Sequence, residues 1–214
     1  MRKLSFKLFA FLFFPGLLFG QGEVPISSLY LLGGISSPQS DFSSTSGAKS
    51  GYAKSGFCGM LEHVKIVGSN ANWVTTVALA NNATDESALS NQTGYKVTAG
   101  SYTTGWMMTG FGLGSDLSST SGIYVSGQAG ILASSFPDIT LSSGSSSVTQ
   151  TTKMGLAFAY GIGAGVRMNN LNIGLRYYSG EPEYEQTASI GGYTSTAKVK
   201  LPTTILMFVI GLKI

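Results

Sequence analysis

Residues 158–178 read FAYGIGAGVRMNNLNIGLRYY, and a bulky apolar or aromatic residue stands at nearly every second place. Phe158, Tyr160, Ile162, Val166 and Met168 form one series, with a small Ala164 among them. Ala159, Gly161, Gly163, Gly165 and Arg167 lie between. After Asn169-Asn170, Leu171, Ile173, Leu175 and Tyr177 take one face, and Asn172, Gly174, Arg176 and Tyr178 take the other. A period of two belongs to strands, whose successive side chains point to opposite faces. Asn-Asn suits a two-residue hairpin turn with positive φ at both central positions. That turn sets Met168 against Leu171 and fixes the rest of the pairing. Val166 then meets Ile173, Ala164 meets Leu175 and Ile162 meets Tyr177 on the apolar face. On the other face Arg167 meets Asn172, Gly163 meets Arg176 and Gly161 meets Tyr178. Large residues opposite glycines are the way a narrow closed interior is filled. A solvated face would carry Lys, Glu and Thr instead.

Only 11% of the 214 residues are charged, and 29 are glycine. Ordinary soluble domains carry about 25% charge. Beyond residue 22 no stretch is long and apolar enough for a membrane helix. A barrel in lipid explains the combination, because alternation dilutes the hydropathy of each strand. The amino terminus reads as a secretory signal over residues 1–22: basic Arg2, Lys3 and Lys7, then the apolar run Leu8–Phe19 broken by Pro15, then Gly20-Gln21-Gly22 for cleavage. An anchor helix is the alternative, but the run is short and interrupted. Without Arg2, Lys3 and Lys7, ten basic residues balance ten acidic ones, which excludes a nucleic-acid partner. Cys58 is the only cysteine, so an exported chain has no internal disulfide, and the thiol reads as a small packed side chain.

The same alternation recurs along the chain. Leu29 to Ile35 make a first strand, and 36–55 a polar loop. A second strand runs from about Gly56 to Ile66. In the third, Trp73, Thr75, Val77 and Leu79 point outward and Val74, Thr76, Ala78 and Ala80 inward, before polar residues 82–99. The fourth covers about Tyr102 to Leu113, with Met107, Thr109, Phe111 and Leu113 outward. The fifth carries Ile123, Val125, Ala129 and Ile131 on its outer face. A serine-rich connection leads into the opening hairpin, and a polar stretch with EPEYEQ leads to an eighth strand whose Leu206, Phe208, Ile210, Leu212 and Ile214 face lipid. Connections after the second, fourth and sixth strands are short; the others are long and polar. Outer-membrane barrels have short periplasmic turns and longer outer loops, so the lengths assign the two sides.

The string GIGAGVRMNNLNIGLRYYSG before a final apolar carboxy-terminal strand resembles the small eight-stranded outer-membrane β-barrel family, the OmpA/OmpX-like domain. The resemblance covers residues 23–214. It implies an all-β, eight-stranded antiparallel up-and-down transmembrane barrel in a bacterial outer membrane, bathed in outer-membrane lipid and lipopolysaccharide. Barrels of this family often end in an aromatic residue, whereas this chain ends in Ile214.

Interior charge offers the first candidate site. Arg167 and Arg176 point inward on these phases, as does Lys213 near the periplasmic mouth; Tyr178 shares the inward face. Glu62 is the one acid inside a strand. An unpartnered buried charge is expensive, so Glu62 belongs inward beside an arginine. Such a network either gates the lumen or simply packs it, and packing is favoured because eight strands enclose just enough room for side chains. Trp73, Tyr160 and Tyr177 suit an aromatic girdle at the lipid boundary. The single histidine, His63, lacks a matching serine and carboxylate, so no lipid-hydrolase triad is assembled. Gly161, Gly163 and Gly165 lack the GxGxxG form, and nothing calls for a cofactor or metal. Sequons at Asn82 and Asn91 read as loop polar residues. Phe42, Tyr52, Tyr184 and Tyr193, in the outer loops, either contact a surface partner or pack the loops together, and packing is favoured. The chain therefore reads as a structural or surface-interacting barrel presenting four outer loops, with no reaction assigned. A narrow passage for small or apolar molecules, lined by Leu32, Leu132, Ile205, Met207 and Val209, is the alternative, and a lipid-modifying enzyme is the weaker third.

Overall fold

The computed structural model describes residues 27–47, 49–115, 121–144, 146–190 and 193–214, so the signal assigned to residues 1–22 lies outside the described residues. Among the described residues thirteen strands and one α-helix follow in chain order. They are β1 (Ser27–Gln39), β2 (Ala53–Ile66), β3 (Ala71–Thr84), α1 (Glu86–Thr93), β4 (Lys96–Ala99), β5 (Ser101–Gly114), β6 (Ser121–Ser135) and β7 (Ile139–Ser143). Then come β8 (Ser146–Thr152), β9 (Gly155–Met168), β10 (Leu171–Gly180), β11 (Glu183–Ile190), β12 (Tyr193–Lys200) and β13 (Thr203–Lys213).

Eight of them make the wall. They neighbour one another in the order β10-β13-β1-β2-β3-β5-β6-β9, and β9 pairs β10 again, so the cylinder closes. Every pairing is antiparallel. The register also gives the stagger. From Arg176 it passes through Gly163, Ser126, Gly112 and Asn72 to Ile66 one way round. The other way it passes through Met207 and Ser36 to Gly56. The two arrivals on β2 are ten residues apart. Such stagger goes with strands tilted by about 35–45° to the barrel axis. Six of the wall strands, with 13 to 15 residues, exceed what a tilted crossing needs, about 9–11, so most of the wall stands above the bilayer on one side; β10 and β13, with 10 and 11, match it.

The β9–β10 hairpin has the pairing read from its alternation, from Met168 against Leu171 to Gly161 against Tyr178. Its turn differs in one respect. Asn169 has φ of 51°, but Asn170 does not take positive φ, so the expected pair of left-handed residues is reduced to one. The faces sort as the period requires. Trp73, Val77, Leu79, Phe111, Ile123, Ile131, Phe208 and Ile210 point outward, and Val74, Thr76, Ala78, Ala80 and Met108 are buried inside. The outer apolar belt includes Phe57 and Phe158, 79% and 70% exposed. It gives way to Ser37, Ser55, Asn81, Thr103 and Ser179 towards the long connections. There Asn81 donates to Thr103 at 3.1 Å, and Ser179 and Thr204 share a hydrogen bond of 2.9 Å.

The expectations for all four long connections are corrected. The segment 36–55 is not all loop: β1 continues to Gln39 and β2 already starts at Ala53, with a register shift between Ala53 and Gly56. The polar stretches after β3, β6 and β10 are also folded. They hold α1, β4, the β7–β8 hairpin and the β11–β12 hairpin, joined in the order β4-β7-β8-β11-β12. This second sheet grows from the wall, since β11 pairs β8 and, through Glu183, also Leu156 near the start of β9. Alternation of Ser, Thr, Gln and Lys with other small residues forms strands too, but without an apolar face to announce them.

Inward glycines serve the curvature as well as the filling. A Cβ at Gly130 would collide with the Met107 carbonyl oxygen on β5, whereas one at the outward Gly127 would meet nothing within 4 Å. Gly130→Ala should lower barrel stability by about 1–3 kcal/mol, the usual range for overpacking. Gly127→Ala should stay within about 0.5 kcal/mol of the parent. Urea unfolding in detergent micelles, followed by the gel shift of the heat-resistant barrel, compares them.

Candidate functional site

The lumen near the short-turn end is a closed ring of polar groups from three strands. Glu62 on β2 and Arg176 on β10 are buried, at 1% and 0% exposure. Arg176 donates through Nη2 at 2.6 Å and Nε at 3.1 Å to Glu62 Oε2. The same Nη2 donates to Tyr124 Oη on β6 at 2.7 Å. Tyr124 donates to Asn172 Oδ1 at 2.7 Å, and Asn172 Nδ2 donates back to Glu62 Oε1 at 3.3 Å. Arg176 Nη1 adds the carbonyls of Leu175 and Ala164. Glycines make the room: a Cβ at Gly163 would sit 2.8 Å from Arg176 Cδ, and one at Gly174 the same distance from Tyr124 Oη.

Arg167 on β9 is held differently. Its Nη2 lies 3.7 Å from Glu62 Oε1, too far for a hydrogen bond. Its guanidinium sits 4.1 Å from the centre of the Tyr124 ring and 5.6 Å from that of Tyr30. Nε and Nη2 have no hydrogen-bond acceptor, and ring faces take their place. Two guanidiniums thus share one carboxylate. Lys213 stays out of this cluster. It pairs in register with inward-facing Tyr30, but its side chain is exposed at the rim rather than inside the barrel. At the end of a strand, inward parity leads to water.

The layers above become less polar. Tyr178, fully buried, donates to Gln128 at 2.8 Å, and Gln128 donates to Thr76 at 3.0 Å. Trp106 packs 5.6 Å from Tyr178 and donates its indole N–H to Thr104. Leu32, Leu132, Ile205, Met207 and Val209 are buried here at no more than 2% exposure. The outer mouth is crossed by rings. Phe42, on a short 3-10 turn at Ser40–Phe42, meets Tyr102 edge-on at 4.9 Å; Tyr102 meets Phe136 at 5.1 Å; Phe136 meets Tyr184 at 5.4 Å. Tyr102 donates to the Gly51 carbonyl at 2.6 Å and Tyr184 to Ser134 at 2.7 Å. Of the loop aromatics, Phe42, Tyr52 and Tyr184 are buried, while the side chain of Tyr193 lies outside the described residues.

On the outer wall Trp73 packs edge-on against Phe111 at 4.5 Å, near the short turn between β2 and β3. Tyr160 and Tyr177 point outward on β9 and β10, and Tyr160 lies across from Ser179, where the belt turns polar. His63 is half-buried on the outward face and pairs with Thr75. Cys58 is buried inside.

The sequence alone does not single out Tyr124, Asn172, Trp106 and Tyr102 as site residues. Their inward parity is readable, but their partners across the lumen depend on the ten-residue stagger. Arg176→Met should cost about 3 kcal/mol of unfolding free energy, typical of a broken buried pair. Glu62→Gln should cost more, because it strips the carboxylate from both arginines. The ranking is checked by the same urea titration.

No family model matches the chain, and no curated protein does. Solved structures do. The outer membrane protein OprG from Pseudomonas aeruginosa superposes with a TM-score of 0.53 at 12% identity, covering 89% of this chain and 97% of that one. A major outer membrane protein from Thermus thermophilus gives 0.48 at 12% identity, over 88% of this chain and 100% of that one. Ail of Yersinia pestis gives 0.45 at 14% identity, over 88% and 97%. At 12% identity the likeness to OprG is one of fold, that of a small closed barrel of a bacterial outer membrane. A continuous apolar belt around that barrel makes the chain an integral protein of such a membrane.

Proposed function

We propose that this outer-membrane barrel works as a surface-interaction protein, through the sheet that stands beyond its long-connection end. The supporting observation is the asymmetry of that sheet's two edges. At one edge the N–H groups of Val97 and Ala99 on β4 donate to Ser90 Oγ at 3.0 Å and Glu86 Oε1 at 2.7 Å of α1, so the helix covers the edge. At the other edge β12 pairs β11 along its whole length and, among the described residues, has no strand beyond it. Ser195, Thr196, Ala197 and Lys198 are exposed there. An open edge offers main-chain donors and acceptors to an extended polypeptide, the mode of strand addition. Glu183 and Lys198 brace the hairpin with an ion pair of 2.9 Å; their hydrogen bond lowers the carboxyl pKa and raises that of the ammonium.

The filled lumen supports this reading over a passage. Conduction would need the aromatic contacts at the mouth and the Glu62–Arg176 ring to separate together. Trp73, Tyr160 and Tyr177 act as boundary anchors in the same reading, with lipid and lipopolysaccharide around them.

The test uses the barrel in lipid nanodiscs. An array of extended, β-prone peptides should bind it, and trimming residues 184–199 to a short Gly-Ser turn should abolish binding while the heat-resistant barrel persists. Reproducible single-channel steps in planar bilayers would instead establish the passage.

A further inference from the structure

The small Ala164 in the middle of the bulky outward series of β9 is not explained by barrel closure or by the outer sheet. It lies at the bottom of a groove in the lipid-facing wall, of about 680 Å³. Leu113, Ile123 and Val125 bank it on one side, and Leu175 and Phe208 on the other. Ala164 pairs directly with Val125 on β6 and with Leu175 on β10. The volume falls within the roughly 300–1,000 Å³ of small-ligand sites.

We propose that this groove seats one acyl chain of a phospholipid from the leaflet at the short-turn end. The inference rests on the barrel lying in a membrane and goes further by naming a specific lipid seat. Three observations carry it. The groove sits in the half of the belt nearest the short turns: its lining includes the last residues of β5 and the first of β6 and β10. Its lower end reaches Ser115, at the level where headgroups begin, and Lys213 is exposed on the same rim, with no ion-pair partner among the described residues.

The second observation concerns the wall behind the groove. Gly165 and Gly174 face each other across β9 and β10, so only backbone separates lipid from lumen there. A Cβ added at Gly174 would come 2.5 Å from Arg176 Nη1 and 2.8 Å from Tyr124 Oη. The charged ring thus lies directly inside this stretch of wall. A hydrocarbon chain pressed into the groove keeps water off it, where the low dielectric strengthens the Glu62–Arg176 pair.

The third is shape. A second copy of a convex barrel touches the wall along a ridge and leaves a trench unfilled, and a stable interface between copies needs about 1,000 Å² of matched surface. A flexible chain fills a trench.

Native mass spectrometry of the full mature chain, released from membranes in mild detergent, tests this. The parent should retain one phospholipid per barrel. Ala164→Phe should cut that occupancy about tenfold, the equivalent of about 1.4 kcal/mol. Ala129→Phe, which enlarges an exposed outward residue opposite Tyr160, should leave it unchanged. Ala164→Leu gives a graded version should the phenylalanine variant fail to insert. Equal retention by parent and Ala164→Phe overturns the proposal, as does a dimer peak that vanishes on Ala164→Phe, which would make a second copy the occupant. A mature chain that is monodisperse in buffer without detergent would sink the membrane reading itself; a barrel that inserts but retains no lipid sinks only the seat.

Discussion

Everything in this molecule follows from the need to satisfy backbone hydrogen bonds where the solvent offers none. In hydrocarbon each unpaired N–H or C=O costs several kcal/mol, so a sheet survives only if it has no edge. β13 meets that need. It pairs β1 along ten residues and β10 along ten more, joining the first and the penultimate wall strands. Its outward residues belong to the lipid belt, while Ile205, Met207 and Val209 belong to the core. The last wall strand is therefore both wall and lock.

Closure of so few strands leaves a lumen that must be filled, and the filling is graded. Towards the short turns it is ionic, with Glu62, Arg176, Tyr124 and Asn172 hydrogen-bonded to one another and Arg167 set against ring faces; in the middle it is mixed, with Tyr178, Gln128 and Thr76; towards the long connections it is aromatic. Arg176, Tyr124 and Tyr178 have their space cleared by glycines opposite or beside them. Arg176 and Gly163 form one such pair, and Tyr178 and Gly161 another. The ionic end stays tolerable because Glu62 accepts from Arg176 and Asn172 together and because Arg167 leans on ring faces. Volume and charge are thus balanced by the same few positions.

How much could be read without coordinates depends on the range over which each signal acts. The β9–β10 register was legible to the residue, because a turn and a period of two leave no freedom. The inward parity of Arg176 and Tyr178 was within reach for the same reason, and that of Glu62 from the cost of an unpartnered buried charge. The ring through Tyr124 and Asn172 was not, because local pattern carries no information about which levels meet across the lumen. Lys213 shows the limit of parity: it says which side, not how deep. Pro38 disguised the outer end of β1, since proline ordinarily argues against a strand interior, yet it pairs with Ile205 above the lipid belt. The outer sheet escaped because both of its faces are polar, so VTQTT and YTSTAKVK show no contrast to count.

The placement of α1 has a directional consequence. By holding the amide groups of β4, the helix makes the outer sheet a structure with one closed and one extendable side. Any added strand must arrive beyond β12, on a single flank of the cylinder, and its own far edge becomes the next free one. Growth of the sheet by strand addition would therefore run in one direction only, away from α1.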